Sequence, residues 1–160
     1  MVLLLLVVWS FLAFVGVEPK DRRPGTRLTG ELSALPASWS FLQDEAIAEV
    51  HVETHPWYGI PFSVTTVIAE DGGNPYLPSL YTAAMEFPGS KYWNKVVAAD
   101  PRVRLRVNDS IYEMTIYPVT DPAEFYRAFA ALGAKYPFWA QKLETDEAPY
   151  KFALLRLQPR

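Results

Sequence analysis

The chain has 160 residues, of which half are hydrophobic and 21% are charged, and it contains no cysteine. Its length fits one domain, and its composition excludes disordered, collagen-like and low-complexity chains. Without cysteine, disulfides, thiol catalysis and cysteine-ligated metal sites are excluded as well. The formal net charge of −3 gives no bulk attraction to nucleic acid.

The N-terminus is far more apolar than the rest of the chain, although the mean hydropathy of the whole is zero. Residues 2–17 carry no charge, and as a helix they would reach about 24 Å, slightly short of a bilayer core of ~30 Å. A run without a polar stripe is not typical of a core helix. No Lys or Arg precedes it and Phe14-Val15-Gly16 is a poor cleavage site, so a cleaved signal peptide is the weaker alternative.

These features predict a membrane anchor over residues 1–17. Positive charges follow the anchor and none precedes it, which predicts that the remaining domain faces the cytoplasm. Those charges are Lys20, Arg22, Arg23 and Arg27, and the adjacent Arg22 and Arg23 fit anionic lipid headgroups. Residues 18–38 contain several prolines and glycines and indicate a linker. The folded domain is therefore expected to span residues 39–160.

Alternating apolar residues predict short strands in the first half of this domain. Residues 46–54 and 60–69 alternate with the period of half-buried strands. A turn at residues 71–74, with sequence Asp-Gly-Gly-Asn, joins the second of them to a short strand at residues 75–79. These two segments are expected to form a hairpin.

The second half combines helices with a further hairpin. Residues 90–99 predict a short helix, and residues 102–107 and 111–119 predict two strands joined by a turn. Asp121 and Pro122 are typical of a helix start, and Pro137 ends that helix. The last strand is expected at residues 152–157. About six strands without strand–helix repetition favour a small antiparallel barrel with helices packed outside.

One strand carries a row of candidate metal ligands. Glu49, His51 and Glu53 share one face of the first strand, with His55 just beyond them. Zinc accepts this donor set, but the same pattern is typical of the wet face of an edge strand. The second interpretation is favoured, and no metal site is predicted.

A second strand carries a cationic stripe made of Arg102, Arg104 and Arg106. Such a row could bind the phosphate groups of a cofactor or partner. More often it is a solvated strand face that discourages edge pairing, and that interpretation is favoured here.

Residues 87–95 open the first predicted helix of this domain, where free backbone N–H groups attract phosphate. Ser90 adds a hydroxyl, Lys91 and Lys95 add positive charge, and Tyr92 and Trp93 add flat apolar surface. These parts could hold a phosphorylated planar ring. An amphipathic helix with ordinary core aromatics is an equal alternative.

The motifs occur in a characteristic order: the hairpin through Pro61–Val67, then Lys91-Tyr-Trp-Asn94, then Asp100-Pro-Arg-Val103 with a basic–apolar strand, then Ile111-Tyr-Glu-Met114. This order resembles the flavin-binding split β-barrel proteins, the pyridoxamine 5′-phosphate oxidase-like superfamily. The deazaflavin-dependent nitroreductases are a neighbouring branch. The resemblance covers residues 39–160.

The resemblance implies a mainly β (α+β) fold, a six-stranded antiparallel split β-barrel with flanking helices that dimerises around FMN or the deazaflavin F420. It implies an oxidoreductase that transfers hydride to or from a small substrate. The predicted membrane anchor would tether this enzyme to the membrane and would suit an apolar substrate. No catalytic side chain is then required, because the cofactor carries the chemistry. The implied cofactor-binding residues are Ser63, Thr65, Ser79, Ser90, Lys91, Trp93 and Asn94.

Two alternatives remain open. The domain could hold a cofactor or ligand at the membrane without turning it over, because an enzyme and a binding module need the same groove. A structural membrane-associated protein is the third possibility, with Arg22, Arg23 and the Arg102–Arg106 stripe as its contacts to anionic lipid.

Overall fold

A computed structural model describes residues 2–80, 82–83, 86–145 and 148–160. Its helices are α1 (Val2–Ser10), α2 (Tyr92–Ala99), α3 (Pro122–Lys135), α4 (Pro137–Glu144) and α5 (Ala148–Lys151). Its strands are β1 (Glu31–Leu32), β2 (Val50–Thr54), β3 (Phe62–Thr66), β4 (Ala69–Asp71), β5 (Asn74–Leu80), β6 (Arg102–Val107), β7 (Ser110–Pro118) and β8 (Phe152–Pro159).

The strands form one antiparallel sheet in the order β3-β2-β6-β7-β8-β5-β4, and the short β1 pairs parallel with β7. The chain passes from the edge strand β3 to the opposite edge strand β4 through Val67 and Ile68 alone. The two edges therefore lie close together, and the sheet curves into a half-barrel. With helices packed against it, this architecture fits the predicted split barrel.

The predicted count of six strands is wrong, because the main path of the sheet has seven. Residues 60–69, expected as one strand, form β3 and β4, which pair with β2 and β5 respectively. Ile68 and Ala69 are both fully buried, so the alternation of inward and outward side chains breaks between them. The predicted hairpin is limited to β4 and β5.

Local signals at the second hairpin and the long helix are confirmed. β6 and β7 pair through a turn in which Asn108 has a φ of 51°. Asp121 caps α3, because its carboxylate accepts a hydrogen bond of 2.8 Å from the backbone N–H of Glu124. A cap of this kind is worth about 1 kcal/mol. The helix ends at Lys135, before Pro137, as expected.

Two apolar clusters hold the fold together. Inside the half-barrel, Val52 of β2 and Leu105 of β6 are fully buried. Outside it, Phe129 of α3 packs against Phe152 of β8 and Trp139 of α4, with ring centroids 5.8 and 5.4 Å apart. Each fully buried large apolar side chain contributes about 1.5–3 kcal/mol.

The predicted membrane anchor over residues 1–17 is wrong. α1 has nine residues and a five-residue π-helical turn follows it, and no helix in the described ranges has the length and apolar character needed to cross a membrane. The chain instead turns at Gly16, which has a φ of +82° and where a Cβ would collide with the carbonyl oxygen of Arg27. The predicted localisation at a membrane is wrong for the same reason.

Beyond this turn, the chain returns across the sheet. The N–H of Thr26 donates to the carbonyl of Val17 at 2.7 Å, and Gly25 forms an isolated bridge with Ser63 of β3. We call residues 17–30 the N-terminal strap. Apart from Val17, it lies within the segment that the sequence indicated as a linker.

Candidate functional site

A cavity of about 810 Å³ is bordered by β3, β5, the start of α2, α4 and the N-terminal strap. We call it the edge cavity, because β3 is an edge of the sheet and residues from both of its faces line the space. Its aromatic lining residues are Phe62, Tyr92, Trp93, Tyr136, Phe138 and Trp139. Such a volume and lining are typical of sites for small organic ligands.

Lys91 supplies a cation to this cavity from the N-cap position of α2. Burial lowers the pKa of its ammonium group, and no ion pair or hydrogen bond joins that group to any residue within the described ranges. Arg22 and Arg23 of the strap also line the cavity, as do Asp21 and Glu49. An anionic ligand group would therefore meet a surplus of one positive charge.

Thr65 offers polar groups along the free edge of β3. Its hydroxyl oxygen is buried and has no hydrogen-bond partner among the described residues. Ser63 turns its backbone N–H and C=O away from β2 towards Gly25, and the alternation of an antiparallel pair turns those of Thr65 the same way. Because an unpaired buried polar atom costs about 1–3 kcal/mol, Thr65 is suited to bind a ligand.

Two further residues implied by the family resemblance, Ser79 and Asn94, are fully buried in a network of their own. The amide nitrogen of Asn94 donates to the hydroxyl of Ser79 at 2.9 Å and to the carbonyl oxygen of Pro88 at 3.1 Å. The hydroxyl of Ser79 donates back to the Asn94 amide oxygen at 3.1 Å. These bonds tie α2 to β5 and to the preceding loop, which positions Lys91 and Tyr92.

Tyr92 and Tyr58 form a polar contact beside this site. Their hydroxyl oxygens are 3.0 Å apart. Desolvation is the main cause, and this hydrogen bond the second cause, that raises the pKa of Tyr58 to about 12. The ring of Tyr92 meets that of Phe62 edge to face, with centroids 4.9 Å apart. The contact fixes the aromatic side chain at the start of α2.

The structure distributes the seven implied cofactor residues over four environments. Thr65, Lys91 and Trp93 line the edge cavity, and Ser79 and Asn94 form the buried network. Ser63 is buried beside Gly25, and Ser90 is exposed before α2. Sequence reasoning missed Phe138 and Trp139, and it assigned Arg22 and Arg23 to lipid. The local sign of these two cavity residues in the sequence was that they are two adjacent aromatic residues directly after Pro137.

The two charged strand rows lie side by side on central strands, so their interpretation as wet edge-strand faces is wrong. β2 lies between β3 and β6. The carboxylate of Glu53 is fully buried and accepts hydrogen bonds from Arg104 at 2.9 Å and from the N–H of Leu28 at 2.6 Å. The guanidinium group of Arg106 contacts the Nδ1 atom of His51 at 3.1 Å. The N-terminal strap covers both pairs.

No family model matches the sequence, and no curated protein matches it either. Solved structures match the fold. HutZ, a heme storage protein from Vibrio cholerae, is 13% identical with a TM-score of 0.56, and the match covers 75% of this chain and 85% of HutZ.

Two further solved structures are similar in fold. An F420-H2 dependent reductase is 16% identical with a TM-score of 0.51, covering 69% of this chain and 93% of the reductase. A pyridoxamine 5′-phosphate oxidase-like protein from Listeria innocua is 17% identical with a TM-score of 0.50, covering 74% and 94%. The resemblance to the split-barrel flavin-binding superfamily is therefore confirmed at the level of the fold.

Proposed function

We propose that the protein binds FMN or the deazaflavin F420 in the edge cavity and acts as an oxidoreductase on a small apolar substrate. The observation that carries this proposal is an aromatic cavity of about 810 Å³ with a half-buried Lys91 whose ammonium group has no partner among the described residues. The fold, which is similar to that of an F420-H2 dependent reductase, supports it.

The residues present fit such a cofactor. Flat aromatic side chains suit a planar ring system, and Lys91, Arg22 and Arg23 suit a phosphate group. A phosphate beside Lys91 would raise the pKa of its ammonium group again, because a nearby negative charge favours the charged form. Thr65 offers a hydroxyl and two backbone groups to polar atoms of the same ligand.

Hydride transfer is the chemistry that the bound cofactor supplies. The chain itself would hold the phosphate, orient the ring and exclude water. The Asn94 network fixes the start of α2. Phe138 and Trp139 of α4 form one wall of the cavity. An apolar substrate follows from the same aromatic lining.

We extend this proposal to a homodimer. Trp57 is 95% exposed, and Tyr58 and Tyr92 beside it are 38% and 42% exposed. Exposed aromatic clusters are typical of interfaces. Sedimentation velocity of the full chain tests this part separately, and a strictly monomeric protein at micromolar concentration would remove it without affecting cofactor binding.

The test of cofactor binding is the visible spectrum of the purified full-length protein and its titration with FMN and F420. Lys91→Ala should weaken binding about tenfold, which corresponds to ~1.4 kcal/mol. Lys95→Ala is the matched control, because Lys95 is exposed on the same helix and does not line the cavity. A folded protein that takes up neither cofactor would refute the proposal.

The alternative is a module that binds its ligand without turnover, and the similarity to a heme storage protein favours it. A titration with haemin gives a Soret band if haem binds. If bound flavin or deazaflavin is not reduced by any nicotinamide donor and does not reduce any acceptor, the binding module is the better description.

A further inference from the structure

A second cavity, of about 500 Å³, is bordered by the strap, β1, β6, β7, the end of β2 and the C-terminal residue. We call it the arginine cavity, because Arg27, Arg102, Arg104 and Arg160 line it. It shares no described lining residue with the edge cavity. Its volume lies within the ~300–1,000 Å³ of small-molecule sites.

Three of the four arginines have a carboxylate within hydrogen-bond distance. Arg104 pairs with Glu53 at 2.9 Å, Arg102 with Asp100 at 2.6 Å and Arg160 with Glu113 at 2.6 Å. Only Glu113 of these three carboxylates also lines the cavity, and together the three balance three of the four guanidinium charges. Each guanidinium group has five N–H donors, so donors remain on each paired arginine.

Arg27 is the charge in excess. Its guanidinium group lies 3.9 Å from Glu53, which is beyond hydrogen-bond distance. Glu53 is already satisfied by Arg104 and by the N–H of Leu28. In the described part of the chain, Arg27 makes no hydrogen bond with its side chain. The cavity therefore carries a net charge of about +1.

Strand geometry turns two of these arginines into the same space. Arg102 and Arg104 are two residues apart on β6, so both side chains leave the same face. His55 joins them from the end of β2. Neutral imidazole adds one further N–H donor to this set.

We propose that the arginine cavity binds a small molecule through an oxyanion group, either a phosphate or a carboxylate. Arg27 supplies the uncompensated charge, and its planar fork can donate two parallel hydrogen bonds to either group. Arg102 adds donors at the open side, where its side chain is 60% exposed. This site is independent of the proposed flavin-type cofactor.

The experiment is isothermal titration calorimetry on the full chain at constant ionic strength, with inorganic phosphate in one arm and succinate in the other. We expect saturable binding of at least one anion above a sodium chloride reference. Tighter binding of phosphate identifies a phosphate group as the ligand chemistry, and tighter binding of succinate identifies a carboxylate.

Variants locate the bound anion. Arg27→Gln should weaken binding at least fivefold, and Arg102→Gln should weaken it as well. Arg127→Gln is the matched control, because Arg127 is 61% exposed on α3, away from the cavity, and lies 3.5 Å from Asp71. It should bind as the unmodified protein does.

Three outcomes would overturn the proposal: no saturable binding of either anion, unchanged binding by Arg27→Gln, or an equal loss in Arg127→Gln. Lys91→Ala separates the two cavities. If Lys91→Ala abolishes phosphate binding and Arg27→Gln does not, the anion occupies the edge cavity and the arginine cavity is not its site. Retained flavin binding by Arg27→Gln would leave the proposed function unaffected.

Discussion

The two cavities hold their polar groups in opposite ways. In the edge cavity, Lys91 and the hydroxyl of Thr65 have no partner within the described residues, whereas in the arginine cavity most charges are paired inside the protein. Arg27 is the exception there, because its carboxylate neighbour Glu53 lies 3.9 Å away, beyond hydrogen-bond distance. The comparison separates groups whose partners belong to the fold from groups whose partners would be supplied by the proposed ligands. Removing a group of the first kind should cost stability, and removing one of the second kind should change binding.

The largest effect is expected from Arg104→Met. This variant leaves the carboxylate of Glu53, which is fully buried, without its main countercharge, and breaking a buried pair costs ~3–5 kcal/mol. Urea denaturation measures the free energy of unfolding. Arg27→Gln is the control and should change it by less than ~1 kcal/mol, because its side chain is 40% exposed and forms no hydrogen bond within the described part.

The double variant Arg104→Met with Glu53→Leu sharpens this result. It removes both charges and should recover most of the lost stability, because a buried ion pair can be replaced by apolar residues at little cost. If Arg104→Met alone is as stable as the unmodified protein, Arg104 does not stabilise the buried Glu53. The difference between groups paired within the fold and groups available to a ligand would then not hold.

An intermediate effect is expected from Asn94→Ala. The hydroxyl of Ser79 loses its buried partner, and the carbonyl oxygen of Pro88 loses a donor. Leaving buried polar groups unsatisfied costs ~1–3 kcal/mol. Thermal unfolding measures the loss, with the exposed Lys95→Ala as control. An unchanged melting temperature would contradict the structural role given to the network.

The smallest effect concerns pH. Desolvation lowers the pKa of both His51 and His55 below the ordinary value of 6.5. Around His51, Arg106 adds to this lowering, while Glu49 and Glu18 oppose it. Around His55, Glu53 and Asp100 oppose it, and Arg102 and Arg104 reinforce it. Because the folded state holds these protons less tightly than the unfolded state, stability is fully present above about pH 6.5 and falls as pH decreases towards the folded pKa values.

Melting temperatures measured in steps from about pH 8 to pH 5.5 check this prediction. The variant His55→Gln should flatten the decrease. A melting temperature that rises over this range as the pH falls would have the wrong sign.

Local patterns predicted the elements that local chemistry determines. The cap at Asp121, the stop before Pro137 and the alternation in β6 required only neighbouring residues, and each prediction is confirmed. The break between β3 and β4 was not predictable in this way, because it depends on which strand lies beside each half. The apolar N-terminus led to the wrong prediction of a membrane anchor for a similar reason. Hydropathy measures composition, and it does not show that the chain turns at Gly16.

The candidate site shows the same limit. Lys91 and Trp93 were found from the sequence because they occupy one short helical segment, and they line the edge cavity. A hydroxyl or amide in a sequence gives no sign that a neighbour already binds it, as happens for Ser79 and Asn94. Arg22 and Phe138 reach the cavity from opposite ends of the chain, which no spacing rule connects.

The two-residue passage through Val67 and Ile68 has a consequence for the order of folding. β3 pairs with the strand just before it, and β4 pairs with the strand just after it, so residues 50–80 can form two hairpins from local contacts. The pairings of β2 with β6 and of β5 with β8 close loops of roughly 50 and 75 residues, which carry a larger entropic penalty. We therefore expect closure of the barrel, rather than formation of its edges, to limit the folding rate.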